Sequence, residues 1–401
     1  MGDFAKDYAD GVDAQPTAFF DTPATFQGIR RPDGRIATRN YIGILTSVNC
    51  SAHVAGVVAL THKTGCGMTQ DEPLRVLRRT LAGYARHANF SHVIVLGLGC
   101  GVNQIGGLME EQRLAGRLRG LDIQTMGGSR KTVAAGIDFV KEVLAEANAV
   151  KRETVPASAL TVALQCGGSD GYSVVSANPA LGVASDLLVR HGGSVILSET
   201  PETYGAEHLL TRRAVTPAVG KKLVGLMRWW EEYTEREGAE MNANPSPGNK
   251  AGGLTTILEK SLGAMAKAGS TNLVDVVQYA EEVKARGFVF MDTPSYDPVS
   301  ATGQVAGGAN LVCFTTGRGS VFGCKPAPSI KLATNPPMFK HIEDDMDVNR
   351  GTVLDGDESV QECGARIFDL ILRVASGEQT RSESFDFGSA EFAPWVLGAT
   401  M

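Results

Sequence analysis

The sequence predicts an α/β protein built on parallel sheets, and three observations lead there. Short β-branched runs recur along the chain, each bounded by glycine or polar residues and too short for a helix. Amphipathic helical stretches lie between several of them, and strand, helix, strand alternation is the pattern of a parallel sheet. Polar and reactive side chains follow directly after the runs, at the carboxyl ends of strands, where open α/β sheets bind their ligands.

Taken in order, residues 1–25 mix Asp, Ala, Pro and Thr without periodicity and read as a tail or linker. Strands are expected at 41–48, 56–60, 91–96, 160–164, 194–197, 288–291 and 311–314. The helix expected over 131–149 places Val133, Ile137, Val140, Val143 and Leu144 on one face, and that over 216–237 aligns Val219, Leu223, Met227, Trp230 and Tyr233. The polar stretch 150–159, interrupted by Pro156, is the expected boundary between a Rossmann-like parallel-sheet domain at 26–150 and a larger α/β catalytic domain at 151–401. Residues 242–253 (NANPSPGNKAGG) are too rich in Pro and Gly for regular structure and are expected to form a long loop. Only residues 49–55 separate the first two strands, where a parallel crossover needs about a dozen, so either a hairpin or a missing helix is expected there.

Composition narrows the function classes. Of 401 residues, 38 are Lys or Arg and 44 are Asp or Glu, giving a net charge of −6 and no electrostatic footprint for nucleic acid. No apolar run approaches the ~18 residues that span a bilayer. The opening MGDFAKDYADGVDAQ has no apolar core of a secretory signal, so a cytoplasmic protein is expected. Gly is enriched, at 47 residues or roughly 12% against a usual ~7%, which points to many tight turns or backbone–ligand contacts. The seven cysteines lie far apart without a CxxC pair, which in a reducing compartment means free, catalytic or metal-bound thiols.

The reactive residues cluster after the strands: His62 and Cys66 in THKTGCG, Cys100 in GLGC, Cys166 and Asp170 in QCGGSDG, Glu199 in SET, Asp292 after FVFM, and Arg318 in TTGRG. No P-loop occurs, and Val102 and Phe322 stand where a dinucleotide fingerprint wants its third Gly. GxSxG does occur around Ser169, but Asn178 and Pro179 follow where a nucleophile elbow needs a helix, so a serine hydrolase is not expected. Cysteines beside glycine, with His62 four residues before Cys66, suit a metal better, thiolates favouring iron or zinc, although the spacing matches no zinc finger.

These residues carry a resemblance. RIATRNYIGILTSVNC (35–50), HKTGCGM (62–68), QCGGSDG (165–171) and SETPETYGAEH (198–208) resemble the altronate and galactarate dehydratase family. NPSPGNKAGGLTTILEK (244–260), MDTPSYDPVSATGQVAGGAN (291–310) and FTTGRGSVFGCKPAPSIK (314–331) extend the resemblance over nearly the whole chain from residue 26. It implies an iron-dependent hydro-lyase that turns altronate or galactarate into a 2-keto-3-deoxy acid. A metal on the carboxylate and 2-hydroxyl would stabilise the enediolate, a base would take the C2 proton, and an acid would help the 3-hydroxyl leave. On that reading His62 or Lys250 is the base, and Asp170 or Glu199 serves in acid–base chemistry. Arg39, Arg318, Lys325 and Asn249 hold the substrate, and Cys66, Cys100, Cys166 and Asp292 hold the iron. The expected partners are a small sugar acid and further copies of the chain, with a separate small-domain subunit as an addition, since the family's small first domain is not recognised here. Family members carry a helix between the NCSA segment and GVVALTH, a Glu where this chain has Gly101, and a Gly where it has Val174. Two alternatives stand beside this reading: the large subunit of a (2R)-sulfolactate sulfo-lyase, and an inactive truncated relative.

Overall fold

In the computed structural model, which describes residues 13–47, 57–114 and 118–398, the apolar runs assemble into two all-parallel sheets. The first elements are β1 (Thr25–Arg30), β2 (Ile36–Ala37), β3 (Tyr41–Thr46), β4 (Val57–Leu60), α1 (Glu72–Arg86), β5 (Phe90–Gly97), α2 (Ile105–Glu111), β6 (Leu118–Asp122) and α3 (Ser129–Ala149). β3 to β6 form a four-stranded sheet in the order β4-β3-β5-β6. Ile42 pairs with Val57 in parallel, so the hairpin alternative for the first two strands is overturned. The connection itself and Cys50 lie outside the described residues.

The chain continues through β7 (Glu153–Pro156), β8 (Thr161–Cys166), α4 (Ala177–Arg190), β9 (Ser194–Leu197), α5 (His208–Thr211), α6 (Pro217–Arg236), α7 (Pro247–Ala251), α8 (Ile257–Ala266) and β10 (Leu273–Val277). It ends with β11 (Phe288–Met291), α9 (Asp297–Ala306), β12 (Leu311–Thr316), β13 (Ser329–Ala333), α10 (Pro336–His341), β14 (Val348–Asn349), α11 (Thr352–Asp355), α12 (Val360–Ala375) and α13 (Arg381–Ser384). Seven strands run in the order β10-β11-β9-β8-β12-β13-β14, all parallel. Chain order reverses between β8 and β12, which makes their carboxyl ends the topological switch point. The expected boundary segment is itself a strand, since β7 pairs antiparallel with β1 in a small third sheet.

Both faces of the long sheet are covered, as buried parallel strands require. On one face Val162, Leu164, Val195, Leu197, Ile330 and Leu332 pack against Leu181, Leu188, Ile367 and Ile371 of α4 and α12. On the other, Ala163, Ile196, Val312 and Phe314 share a core with α9 and with Leu45, Leu77 and Tyr84 of the first sheet and α1. The opposite face of the four-stranded sheet is closed by α3 through Ile42, Ile44, Ile94 and Leu121. Here the expected face of α3 is corrected. Val140 and Val143 are buried with Thr132, Phe139 and Ala147, whereas Val133, Ile137 and Leu144 are 39–45% exposed. Two neighbouring stripes both satisfy a 3.6-residue period, and the large Phe139 ring, seated over the first sheet, selects between them.

Residues 242–253 also depart from expectation, because α7 forms inside them. Pro247 occupies the first turn, where its missing N–H is no loss, and Ser246 and Asn249 complete a reciprocal capping box. The segment 13–24 has no regular structure, yet it is tied down. Asp13 pairs with Arg212, and Phe20 stacks on His191 while Arg190 lies over its ring. Among the described residues no helix is long and apolar enough to cross a membrane.

Candidate functional site

Three chain segments meet at the switch point. β8 delivers Cys166 at its last position, buried beside Thr315 of β12. β9 ends at Leu197, and Glu199 follows with φ 69° and ψ 64°, a left-handed conformation that costs a non-glycine residue about 1–2 kcal/mol. A 3₁₀ turn over Thr200–Thr203 comes next. Its first hydrogen bond runs from Glu202 N to the Glu199 carbonyl at 2.7 Å, and both carboxylates reach Cys166 Sγ. Lys260 on α8 and Lys267, which caps its end, lie seven residues apart, about two helical turns, and reach the same point.

The resulting cluster is dense. Cys166 Sγ lies 3.6 Å from Glu202 Oε2 and 3.8 Å from Glu199 Oε2. Lys267 Nζ donates to Cys166 Sγ at 2.9 Å and lies 3.7 Å from Glu199 Oε2, while Lys260 Nζ meets Glu202 Oε1 at 2.8 Å. Cys166, Glu199, Glu202 and Lys267 are all buried. Burial drives the Cys166 thiol up to about 12 in spite of Lys267. Burial, and then the neighbouring Glu202, lifts Glu199 well above the carboxylate range. Burial works against the charge on Lys267, but Cys166, Glu199 and Glu202 outweigh it and raise the ammonium above its ordinary value. At the mouth, Asp297 is pushed to about 6 by burial and then by Glu202. A Cβ at Gly167 would stand 2.1 Å from Asp297 Oδ2, so only glycine lets this carboxylate lie over the strand end.

Beside it sits a second polar knot. Asp170 is buried and accepts from Ser173 N and Oγ (2.9 and 2.8 Å), Thr334 Oγ1 (3.0 Å) and Asn335 Nδ2 (3.1 Å). Asn249 Nδ2 donates to the Ser169 carbonyl, tying α7 to the loop after β8. Asp292 Oδ1 accepts from Thr200 Oγ1 at 2.5 Å and from Trp230 Nε1 at 2.8 Å. It thereby anchors the turn carrying Glu199 and Glu202 to α6.

The chain matches the family model described as D-galactarate/Altronate dehydratase, C-terminal, over residues 157–400. It also matches the model for the D-galactarate dehydratase/Altronate hydrolase second domain over residues 28–148. The chain belongs to the D-galactarate/altronate dehydratase family. This is a family of carbon–oxygen lyases. The galactarate dehydratase (L-threo-forming) of Escherichia coli K12 is 40% identical, over 88% of this chain and 73% of the relative. The altronate dehydratase of Bacillus subtilis 168 is 34% identical, over 94% of this chain and 78% of the relative. A (2R)-sulfolactate sulfo-lyase subunit beta from Chromohalobacter salexigens is 32% identical, over 92% of this chain and 96% of that subunit.

Within this dehydratase-family fold the expected site residues separate into groups. Cys166 and Glu199 stand in the central cluster, and Asp170, Asn249 and Asp292 lie around it as hydrogen-bonding anchors. Cys66 and Cys100 are exposed free thiols and belong to no group of three metal-ligating side chains among the described residues. His62 is buried with both ring nitrogens engaged, Nε2 on the Thr46 carbonyl at 2.7 Å and Nδ1 accepting from Thr64 N. Burial lowers its pKa to about 4, so the ring is neutral at pH 7. Arg39 makes a two-pronged ion pair with Glu383, at 2.5 and 2.7 Å, and donates to the carbonyls of Val374 and Glu378. Lys325 pairs with Asp386. Lys250 and Arg318 are exposed, Arg318 alongside Gly168. Ser169 has no histidine partner among the described residues, and α4 starts six residues after Gly171.

Glu202, Lys260, Lys267 and Asp297 were not singled out from the sequence. Glu202 and Asp297 had a readable signal, each being an acidic residue beside proline shortly after a strand end. Lys267 had none, because its partners lie 65 or more positions away in the chain.

Proposed function

We propose that the chain removes water from a sugar acid such as galactarate or altronate, giving a 2-keto-3-deoxy acid. The observation that carries this reading is the buried cluster of Cys166, Glu199, Glu202, Lys260 and Lys267 at the switch point, in a chain of the dehydratase family. Donor atoms of Cys166, Glu199 and Glu202 lie within 4.8 Å of one another, and Glu199 Oε1 is buried without a hydrogen-bond partner. One soft sulfur with two carboxylates suits a transition metal such as ferrous iron. These three residues would hold it, in place of the wider cysteine set expected from the sequence. When bound, the metal would act as a Lewis acid toward the substrate carboxylate and 2-hydroxyl.

The protein's own groups do the rest. Asp297 titrates near pH 6, so at neutral pH it is largely ionised and suited to take the C2 proton and return it to the departing 3-hydroxyl. Lys260 and Lys267 offset the negative charge that develops as the proton leaves. Arg318, exposed beside Gly168, would receive the substrate carboxylate. A second reading, sulfite elimination from sulfolactate, has in its favour the alignment over 96% of a sulfo-lyase subunit.

Anaerobic purification, iron quantification, and parallel assays on galactarate, altronate and sulfolactate test the proposal. Iron bound to the chain, turnover of a sugar acid, and loss of both in Cys166→Ser are expected. Turnover of sulfolactate alone, or full iron and activity in Cys166→Ser, would overturn it.

A further inference from the structure

At the opposite, amino-terminal edge of the long sheet lies a cavity of about 580 Å³ that the dehydratase reading does not use. Its floor is formed by Thr161 and Ser194, the first residues of β8 and β9, and by Asn310 just before β12. Its walls come from distant parts of the chain: Arg35 in the turn between β1 and β2, Arg86 at the end of α1, and Lys284 and Arg286 in the loop before β11. Four cations face two carboxylates in this lining, Asp33 and Glu282. Arg35 is paired with Asp33 at 2.6 Å. Arg86, Lys284 and Arg286 make no ion pair within 4 Å among the described residues; Arg86 and Arg286 instead donate to the carbonyls of Gln112 and Ser158. Arg86 is held below the ordinary guanidinium range by burial, and Arg35 pushes the same way against the pull of Glu282. Arg35 and Arg86 thus oppose each other within this lining.

We infer that this crevice is a binding site for a compact metabolite carrying at least two negative charges, a phosphate ester or a dicarboxylate. The cavity size falls in the ~300–1,000 Å³ range of small-molecule sites. Arginines in fork geometry match carboxylate and phosphate oxygens equally well, so the shared chemistry is the dianion. Because Arg35 comes from the turn between β1 and β2 of the small third sheet, Arg86 from the end of α1, and Lys284 and Arg286 from the loop before β11 of the long sheet, a ligand here ties these parts together. The site lies at the edge of the sheet away from Cys166, and the inference stands whether or not the proposed reaction is the right one.

Isothermal titration of the full chain with inorganic pyrophosphate and, in a separate arm, with succinate tests the inference. The double variant Lys284→Gln/Arg286→Gln and the single variant Arg86→Gln serve as comparisons. Saturable binding of one ion per chain in either arm is expected, weakened at least about tenfold in the double variant and reduced by added salt. Dehydratase turnover without effector is expected to be unchanged, since none of the three residues belongs to the catalytic cluster. Saturation with pyrophosphate alone assigns a phosphate ligand, and with succinate alone a dicarboxylate. No saturable binding in either arm, or equal binding in wild type and the double variant, would overturn the inference. If the double variant does not fold, the same comparison made with Arg86→Gln decides.

Discussion

Replacing Gly317 with alanine probes how the site is held. A Cβ at this position would stand 2.0 Å from Asp170 Cγ and 2.3 Å from both carboxylate oxygens, closer than non-bonded atoms come. Gly317 is itself fixed, its N–H donating to the Gly168 carbonyl and its carbonyl accepting from Asn335 Nδ2, so the Asp170 side chain must yield. Turning it away takes the carboxylate acceptor from the Ser173 and Thr334 hydroxyls, while Ser173 N keeps the Asp170 carbonyl and Asn335 Nδ2 keeps the Gly317 carbonyl. Overpacking alone costs ~1–3 kcal/mol. Losing one or two charge-assisted hydrogen bonds adds about 1.5–3 kcal/mol each, and partial relaxation brings the expected total to about 3–5 kcal/mol. Urea unfolding of Gly317→Ala, Asp170→Ala and the double variant measures it. The double variant is expected to be less destabilised than the sum of the singles by 1 kcal/mol or more, because removing the carboxylate removes the clash. Gly106→Ala, in the exposed first turn of α2 with nothing within 4 Å of the added methyl, is the control and is expected to change stability by less than ~0.5 kcal/mol. Additive singles, or a Gly317→Ala cost below ~1 kcal/mol, would refute the account.

Three further outcomes follow from the same geometry. Lys267→Met takes the donor from Cys166 Sγ and the cation beside Glu199 and is expected to lower unfolding free energy by about 1–3 kcal/mol, read from the urea midpoint; a neutral effect would show that Lys267 is dispensable to the cluster. Asp292→Ala strips the acceptor from Thr200 and Trp230, so lower stability and altered Trp230 fluorescence with unchanged iron content are expected, whereas loss of iron with intact stability would make Asp292 a ligand. His62 and His87 are both held near pKa 4 by burial, while unfolded histidine titrates near 6.5. The unfolded chain therefore binds more protons between those values, and stability present above pH 6.5 is lost as pH falls toward 4, by up to about 3 kcal/mol per ring. His62→Gln should flatten that acid limb in urea titrations between pH 7 and 4.5, and an unchanged limb would remove His62 from the account.

How far the sequence reveals this molecule depends on the distance over which each feature is decided. Buried parallel strands such as FVFM and LVCFTT are apolar throughout, so they read directly, and the residues after them, Cys166 and Glu199, are legible as strand-end polar groups. β6, with the sequence LRGLD, has no such signature and forms because β5 offers it an edge. α7 is obscured because Pro247 and Gly248 are ordinary signs of a loop, and only the reciprocal Ser246 and Asn249 cap turns them into a helix start. The α3 face is misjudged for a different reason: two apolar stripes fit the helical period, and only the sheet beneath Phe139 decides between them. The charged centre lies furthest from local reading. Lys267 looks like any basic residue at the end of a surface helix, where a cation near the last carbonyls is favourable without further cause. Its burial makes sense only once β8 and β9 bring Cys166 and Glu199 to it, and the left-handed turn at Glu199 persists because Thr293 Oγ1 accepts from its N–H at 2.8 Å. Strain at Glu199 and desolvation at Lys267 are both unfavourable locally, and each is sustained by contacts made across the switch point. A site built from such mutually supporting contacts is therefore the part of the fold that local patterns describe least, and the part where a single truncation should propagate furthest.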